Sequence, residues 1–269
     1  MSIGLCQLCG KTEPLQDSHY IPRAFYKLLK TPGAKNSNPV VATPKVKMAT
    51  SDQFKGYLLC RGCEDRFNKN GEAWVLKNCW RTYSAFPLAD RLSAAAPLFS
   101  DGRSGLWAGG SIAGVDPDKL TYFAASMFWR GTLKGWRSLA GHVPPRLELG
   151  PYAEGLRLFL LGERAFPADV LLITMVSAYR NVVPHRDVIA PFRKGRDLNT
   201  RCYLYRFRVL GITFDLFAGK GIPVGVRALC TVRSRERLIH SSADVDDETF
   251  ADLLNLHAKG RAVGKIASP

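Results

Sequence analysis

The chain has 269 residues and a formal net charge of +15, from 38 Lys and Arg residues against 23 Asp and Glu residues. Its hydrophobic share of 46% is that of a folded protein and excludes an extended disordered chain. The longest apolar run, 170–176, is far shorter than the roughly 20 residues that cross a bilayer, so no membrane partner is expected. The positive charge favours a polyanion such as DNA or RNA, although a basic protein with a merely solvated surface has the same composition.

Two Cys-x-x-Cys pairs mark the N-terminal part of the chain: Cys6 with Cys9, and Cys60 with Cys63. Each pair forms a tight turn that directs two thiolates to one centre, and two turns complete the four-sulfur set of a structural zinc site. Two disulfides are an alternative, but they need an oxidising compartment, and residues 1–10 are too short and polar for an export signal. Four buried thiols would not need matched turns. We therefore predict a cytoplasmic protein with a structural Zn²⁺ ion.

His19 follows the first pair in the segment Asp17-Ser18-His19-Tyr20-Ile21-Pro22. Because four thiolates fill the usual coordination shell of zinc, this histidine is not needed as a ligand. A neutral imidazole near its reference pKa can take a proton from water at physiological pH. His19 is therefore a candidate general base on a strand that follows the first cysteine pair.

The segment between the two pairs, residues 23–55, is strongly basic. Lys and Arg contacts to phosphate oxygens supply affinity for nucleic acid that does not depend on sequence. The candidate contacts are Arg23, Lys27, Lys45, Lys47 and Lys55. Residues 23–29 are compatible with a short helix, and residues 31–44, rich in Pro, Gly, Asn and Ser, predict a loop. A solvated basic loop explains the same residues equally well.

A strand over 56–59 leads into the second cysteine pair, and a helix follows from Glu64 onward. Glu64 and Asn68 lie at i and i+4, so they share a helix face and can both point to a site with His19. Alternatively, Glu64 only favours the helix dipole and Asn68 is simply exposed. Asn70-Gly71 predicts an interruption or kink. A second helical piece then packs through Trp74, Val75, Cys79 and Trp80, with Cys79 a buried thiol.

Taken together, Cys-x-x-Cys, Ser-His-x-Ile-Pro and Leu-Cys-x-x-Cys-Glu-x-x-Phe-Asn resemble the HNH endonuclease superfamily in its zinc-stapled treble-clef form, the His-Me finger type. The resemblance covers residues 5 to about 75. It implies a two-strand hairpin packed on a helix around a catalytic divalent metal, Mg²⁺ or Mn²⁺. It also implies His19 as the base that activates water, and metal ligands at Ser18 and at one of Glu64, Asn68 and Glu72.

The sequence departs from the usual pattern of that superfamily at two positions. The residue before the histidine is usually acidic, and here it is Ser18, whereas Asp17 one place earlier is expected on the opposite strand face. The helix position after the second pair is often His or Asn, and here it is Glu64. Ser before His and Glu after Cys resemble a recurring subgroup of the superfamily, so the pattern does not by itself indicate decay.

Residues 86–118 are rich in Pro and Gly and predict a connection, with a domain boundary at 85–115. Asp116 is a good N-cap with Pro117 at the first helical position. The helix it opens has an apolar stripe of Leu120, Phe123, Ala124, Met127 and Phe128. Trp129-Arg130 is interpreted as part of this helix's packing rather than as a functional pair.

Strands are predicted over 156–161, 170–176, 202–210, 212–217 and 228–232, with a tight turn at Leu210-Gly211. Arg206 and Arg208 share one face of their strand, where they either extend a nucleic-acid surface or form the solvated side of a sheet. A last helix with an acidic first turn at 244–248 ends near Lys259-Gly260. The tail after it is expected to be loose.

These features predict an α+β fold with an N-terminal treble-clef zinc module of the ββα-metal type (1–85). A connection (86–115) and a domain of helices and antiparallel sheet (116–269) follow. The expected function is metal-dependent hydrolysis of nucleic-acid phosphodiesters, DNA in the first place, by His19, Asn68 and Glu64. The alternative, favoured by Ser18, is an inactive zinc-fold protein that binds nucleic acid or acts as a scaffold. A protein-interaction adaptor, a third possibility, would show little salt-dependent binding of nucleic acid despite the basic charge.

Overall fold

The structure is a computed structural model that describes residues 2–29, 38–42, 46–81, 85–177, 189–197, 202–232, 236–241 and 261–263. For 40–42, 46–49, 189–197 and 261–263 it describes the backbone only. The fold is mixed α+β, as the sequence predicts.

The described strands, in chain order, are β1 (Ser2–Leu5), β2 (Thr12–His19), β3 (Val40–Ala42), β4 (Val46–Ala49), β5 (Lys55–Cys60), β6 (Phe99–Ser100), β7 (Ser104–Ala108), β8 (Val170–Ser177), β9 (Ile189–Asp197), β10 (Cys202–Val209), β11 (Ile212–Gly219), β12 (Arg237–Ser241) and β13 (Arg261–Val263). The α-helices are α1 (Arg23–Leu28), α2 (Arg61–Phe67), α3 (Ala73–Asn78), α4 (Pro87–Ala94), α5 (Pro117–Arg130), α6 (Tyr152–Leu161) and α7 (Val224–Ala228). One turn of π-helix, Asn68–Glu72, joins α2 to α3 and is called the π turn below.

The first sheet, in the order β1-β2-β5, carries the cysteine pairs. Both strand pairs are antiparallel, and His19 at the end of β2 lies opposite Lys55 at the start of β5. The register shifts between Leu15 and Asp17, which is a β-bulge. The first cysteine pair sits in the β1–β2 turn, and the second sits where β5 becomes α2. The predicted short helix and the strand before the second pair are both confirmed.

Helix α5 lies at the centre of the hydrophobic core. Its predicted stripe is confirmed, because Leu120, Phe123, Ala124, Met127 and Phe128 are all 0% exposed. The N-cap is also confirmed, since Oδ1 of Asp116 accepts the Lys119 amide hydrogen at 2.9 Å. The helix packs against α6, α3 and the π turn. Residues before and after it therefore share one core.

The π turn replaces the interruption predicted at Asn70-Gly71. The backbone stays helical through α2, the π turn and α3. Gly71 is buried against α5, where a Cβ atom would lie 2.8 Å from the backbone nitrogen of Phe123. Glycine is therefore required here by the close approach of two helix backbones rather than by a turn.

The largest sheet has seven described strands in the order β6-β7-β12-β8-β11-β10-β9. The strands predicted over 170–176, 202–210 and 212–217 are confirmed as β8, β10 and β11. The tight turn is confirmed too, because Val209 pairs with Ile212 and both Leu210 and Gly211 have positive φ, +42° and +82°. The sheet is mixed rather than purely antiparallel, since β12 runs parallel to β8.

Two strand predictions are wrong. Residues 156–161 belong to α6, where Leu156 and Leu160 are buried four positions apart and Gly162 ends the helix at φ +76°. Leucine-rich runs of this length fit a buried helix as well as a strand. In the structure the buried leucines follow the helical spacing of four residues. Ala228 ends the short helix α7, and residues 229–232 form no strand.

Of the two arginines predicted on a solvated or nucleic-acid-binding strand face, Arg208 is buried, whereas Arg206 is only partly buried, with its side chain 23% exposed. Arg208 is 2% exposed. Arg206 pairs with Asp215 directly across the β10–β11 register, with Nε and Nη2 lying 2.7 and 2.6 Å from the two carboxylate oxygens. Asp215 and Arg208 are buried, so this face is not simply solvated, and its part in a nucleic-acid surface stays a prediction.

Segments expected to be irregular contain regular structure. Residues 86–115 form α4 and two strands of the large sheet, β6 and β7, so the domain boundary placed there stays a prediction. Within the predicted loop 31–44, residues 40–42 form β3. Within the predicted loose tail, residues 261–263 form β13, which pairs in parallel with β4. The last predicted helix lies outside the described residues.

Within the described ranges, no helix combines the length and the apolar character needed to cross a membrane.

Candidate metal centre and the adjoining pocket

The first cysteine pair is held by a backbone turn. The Cys6 amide donates to the Lys11 carbonyl at 2.9 Å, and the Gly10 amide donates to the Cys6 carbonyl at 2.8 Å. Gly10 has φ +70°, a left-handed conformation that glycine adopts without strain. The closed turn brings the two thiols to the same side of the β1–β2 connection.

The second pair is placed by the transition from strand to helix. Cys60 is the last residue of β5 and the N-cap position of α2, and Cys63 lies in the first helical turn. The Cys60 amide donates to Sγ of Cys6 at 3.4 Å, which links the two pairs directly. A backbone amide that donates to sulfur favours the thiolate form of that cysteine.

The four Sγ atoms of Cys6, Cys9, Cys60 and Cys63 all lie within 4.8 Å of one another. Sγ of Cys9 lies 3.9 Å from Sγ of Cys60. Zinc–sulfur bonds of about 2.3 Å in a tetrahedron place sulfurs about 3.8 Å apart, so this spacing fits a zinc ion. All four cysteines are free thiols. The cluster can therefore hold a metal such as zinc, as the spacing of the pairs predicts.

The hydrogen bond between Cys6 and Cys63 lowers the pKa of the Cys6 thiol and raises that of the Cys63 thiol, so Cys6 is the thiolate of the pair. A hydrogen bond from the Cys63 thiol, with further ones from backbone amides, lowers the pKa of Cys6 to about 4 although burial opposes this. Metal ions bind the thiolate and not the thiol. Cys79, in contrast, is fully buried, and burial raises the pKa of its thiol to about 12. The prediction of a buried structural thiol at Cys79 is confirmed.

Helix α6 supports the first cysteine turn from outside. Nη1 of Arg157 donates to the carbonyl oxygen of Leu8 at 2.6 Å, and its Nε and Nη2 bind the carboxylate of Glu154. Leu8 itself is fully buried. Local sequence patterns do not predict this contact, because α6 lies far from the cysteine turn in the chain and its apolar run also fits a strand.

A pocket of about 310 Å³ opens between the end of β2, the start of α1 and the helix after the second cysteine pair. We call it the His19 pocket. Its lining includes Ser18, His19, Arg23, Glu64, Glu72 and Arg130. The structure thus brings His19 and Glu64 together, as predicted, and it adds Arg130 from α5.

His19 is half-buried at the end of β2. Burial lowers the pKa of His19 below its usual value, and the positive charge of Lys55 lowers it further, while Asp17 opposes both. The imidazole is therefore neutral at physiological pH. A neutral imidazole at the edge of a pocket has the protonation state that a general base requires.

The two residues before His19 have separate partners. Ser18 is 2% exposed, and its hydroxyl donates to the Gln16 carbonyl at 3.5 Å. Asp17 accepts a hydrogen bond from Nζ of Lys55 at 2.8 Å. Asp17, Ser18 and His19, at the end of β2, all line the pocket.

Glu64 and Glu72 meet at Arg130. Nη2 of Arg130 lies 2.7 Å from Oε1 of Glu72 and 3.6 Å from Oε2 of Glu64. In an uninterrupted α-helix, side chains eight residues apart point about 80° away from each other. The π turn accommodates one extra residue, so eight residues act as seven and the two side chains return to within about 20°. The π turn is thus what places both carboxylates on one face.

Burial changes the acidity of one of these carboxyl groups. Glu72 sits deep in the pocket, and burial raises its pKa, although the charge of Arg130 opposes the shift. Oε1 of Glu64 is buried and has no hydrogen-bond partner among the described residues. An unpaired carboxylate oxygen is a ligand suited to a hard divalent cation.

The other predicted site residues lie outside this pocket or outside the description. Asn68 is exposed and does not line the pocket. Lys27 is exposed on α1, Lys55 is engaged with Asp17, and only Arg23 of the five basic candidates lines the pocket. Lys45 and the side chain of Lys47 lie outside the described residues.

A second pocket, of about 220 Å³, was not predicted. It is lined by Tyr20, which follows His19, and by Lys134, Trp136, Arg137 and Arg146. The backbone of Arg137 bridges that of Lys55 through two hydrogen bonds of 2.9 Å. Basic residues within 134–146 therefore contribute to a pocket whose wall includes the residue after His19.

No protein-family model, curated protein or solved structure matches this chain at a significant level. The identity of the site consequently depends on its own geometry: a four-cysteine cluster able to hold a metal such as zinc, and a pocket whose lining includes His19, Glu64, Glu72 and Arg130.

Proposed function

We propose that the protein is a metal-dependent endonuclease of the HNH type that hydrolyses phosphodiester bonds in DNA. The observation that carries the proposal is the pairing, in one pocket, of a histidine with a lowered pKa and two inward-facing carboxylates. The strand–turn–strand and strand-to-helix placement of the cysteines supports a treble-clef module, in which zinc would join the two halves of the site. The spacing of the two cysteine pairs and of His19 resembles that of the HNH endonuclease superfamily, and this resemblance supports the proposed assignment.

His19 is proposed as the base that takes a proton from water. Its neutral imidazole is available at physiological pH, and it lies at the edge of the pocket where a substrate enters. Glu64 and Glu72 are proposed as the carboxylates that hold a divalent cation, Mg²⁺ or Mn²⁺. Such a cation, when bound, supplies positive charge to the scissile phosphate. The unpaired oxygen of Glu64 fits this role better than Asn68, which is exposed.

Positive residues around the pocket are proposed to bind the phosphate backbone. Arg23 lines the His19 pocket, and Lys134, Arg137 and Arg146 line the second pocket. The net charge of +15 supports a polyanionic partner. Zinc in the cysteine cluster would have a structural role only.

The test is a cleavage assay on plasmid and single-stranded DNA with Mg²⁺ or Mn²⁺, comparing the wild type with His19→Ala. His142→Ala is the matched control, because His142 is exposed and lies outside the pocket. All three proteins are first compared for zinc content and thermal unfolding. We expect cleavage that needs the added metal, falls by about 10²–10⁴-fold in His19→Ala and is unchanged in His142→Ala. Cleavage that survives the loss of His19 would refute the assignment of the base.

A second candidate function is nucleic-acid binding without cleavage. Ser18 favours it, since this residue replaces the usual acid and its hydroxyl is directed to a backbone carbonyl. The same assay distinguishes the two candidates. Salt-sensitive DNA binding with no cleavage in either metal, by protein that holds zinc and is folded, would support the binding protein. Cleavage of RNA alone would change the substrate but not the mechanism.

A further inference from the structure

Arg130 is a buried cation that faces the two carboxylates of the His19 pocket. It is 1% exposed, its Cζ lies 4.6 Å from the centre of the Phe67 ring, and Nη2 contacts Glu72 at 2.7 Å. Arg130 is the last residue of α5 and lies outside the segment that resembles a nuclease. A buried arginine is expected to have a hydrogen-bond partner for its N–H donors, because burying a charged group without partners costs free energy.

The pocket leaves both donors and acceptors unpaired. Among the described residues, Nε and Nη1 of Arg130 have no hydrogen-bond partner. Oε1 of Glu64 also has none. The contact between Arg130 and Glu72 uses one nitrogen, so the planar fork that binds oxyanions through two parallel hydrogen bonds is largely free. The unpaired carboxylate oxygen can therefore bind a cation, and the unpaired guanidinium nitrogens can bind an oxyanion.

We propose that Arg130 changes partner during substrate binding: it neutralises Glu64 and Glu72 in the metal-free pocket, and it binds a phosphodiester oxygen once a divalent cation occupies those carboxylates. Metal and phosphodiester then bind cooperatively. This inference rests on the proposed function and names the residue that couples its two ligands.

The physical reason is electrostatic. A divalent cation on Glu64 and Glu72 would lie within a few ångströms of the guanidinium, and like charges at that distance in a partly buried site repel strongly. A phosphodiester between the two cations removes the repulsion and satisfies the free N–H groups of Arg130. Thermodynamic linkage then requires each ligand to raise the affinity of the other by the same factor.

The first experiment measures Mn²⁺ binding by electron paramagnetic resonance in full-length His19→Ala, with and without a short DNA duplex that this variant does not cleave. We expect the duplex to raise Mn²⁺ affinity at least tenfold. Adding Arg130→Met should raise the affinity of the DNA-free protein for Mn²⁺ and reduce the effect of the duplex to less than threefold. Arg164→Met is the charge-matched control, since Arg164 is exposed and lines neither pocket, and it should preserve the effect of the duplex.

A second measurement does not depend on the folding of Arg130→Met. The Arg130 Nε–H signal is followed by ¹⁵N NMR in His19→Ala, with Arg130→Lys used for assignment. We expect a shift when the duplex and Mg²⁺ are added together and none with the duplex alone. A full shift with the duplex alone would overturn the coupling, as would Mn²⁺ affinity that does not respond to Arg130→Met.

Failure of the underlying function gives a different result. If Mn²⁺ binding is absent, or is unchanged by Glu64→Gln, the carboxylates do not hold the cation and the proposed nuclease site is wrong. If Mn²⁺ binds through Glu64 and the duplex has no effect on it, only the role of Arg130 is wrong.

Discussion

Nη2 of Arg130 lies 2.7 Å from Oε1 of Glu72, although the two residues lie on different helical segments that are far apart in the chain. Glu72 ends the π turn that follows the second cysteine pair, and Arg130 ends α5. The pocket that holds His19 is therefore completed by a helix outside the zinc-binding segment. Its geometry depends on how closely α5 approaches the π turn.

Gly71→Ala should disturb this approach. A Cβ at Gly71 would lie 2.8–2.9 Å from backbone and side-chain atoms of Phe123, so the helices must separate. We expect a loss of about 1–3 kcal/mol in the free energy of unfolding, measured by urea denaturation. Gly62→Ala is the control, because a Cβ there meets nothing within 4 Å and alanine favours the helix. Equal stability of the two variants would contradict the packing described for α5.

The cysteine cluster predicts one tightly bound zinc ion per chain. Cys63→Ser should abolish zinc binding, measured by atomic emission on the purified protein, and should lower the thermal midpoint because zinc binding stabilises the folded state. Cys79→Ser is the matched control: it is also a buried helical-region cysteine, but it lies outside the cluster. Zinc retained in full by Cys63→Ser would show that the cluster is not the binding site.

The pKa of His19 should depend on Lys55. The positive charge of Lys55 is one of the causes that lower the pKa of His19, so Lys55→Met should raise it. Since the base acts when deprotonated, cleavage should rise with pH through a midpoint below the usual histidine value of about 6.5 and level off above it. In Lys55→Met this midpoint should move to higher pH.

The direct measurement is an NMR titration of the His19 ring protons in the zinc-containing protein without added Mg²⁺ or Mn²⁺. The signals are assigned with His19→Ala. Lys27→Met serves as the control, because Lys27 is exposed on α1 and does not line the pocket. A His19 pKa that is the same in Lys55→Met and the wild type would be inconsistent with the described electrostatics.

DNA binding should weaken with salt, and Arg23 should account for part of the slope. Each phosphate contact contributes about 0.9 to the slope of log affinity against log salt for duplex DNA. We expect Arg23→Ala to reduce the slope by about one, measured by fluorescence anisotropy on a labelled duplex. Lys220→Ala, exposed in the turn after β11 and away from the pocket lining, should leave the slope unchanged. Affinity that is insensitive to salt would favour a protein-interaction adaptor instead.

The sequence predicted those parts of the site that depend on local spacing. The two cysteine pairs, the strand that ends at His19 and the helix that contains Glu64 each follow from residues within a few positions of one another. Arg130 was interpreted as core packing, because its position at the end of an aromatic helix is explained locally and its partners are distant in the chain. Burial of an arginine against two carboxylates is a tertiary relationship that periodicity does not encode.

The errors in the fold have similar causes. Residues 156–161 are apolar at most positions, and such a run does not distinguish a strand from a buried helix. The period of two correctly places Arg206 and Arg208 on one strand face, but it does not predict what packs against that face. Asp215 lies directly opposite Arg206 in the register, a pairing that became visible only when the hairpin was placed in the sheet.

The π turn makes chain length, and not only side-chain chemistry, a determinant of the pocket. Alanine scanning across 68–72 would test each side chain and still leave the extra residue in place. Inserting one further residue beside Asn70 would carry Glu72 about 100° around the helix, away from Arg130 and Glu64, whereas deleting Asn70 would leave an ordinary helical spacing of seven residues and keep both carboxylates within about 20° of each other. A single-residue insertion in loop-free, well-packed helix would thus separate the two carboxylates while leaving every pocket residue in the sequence.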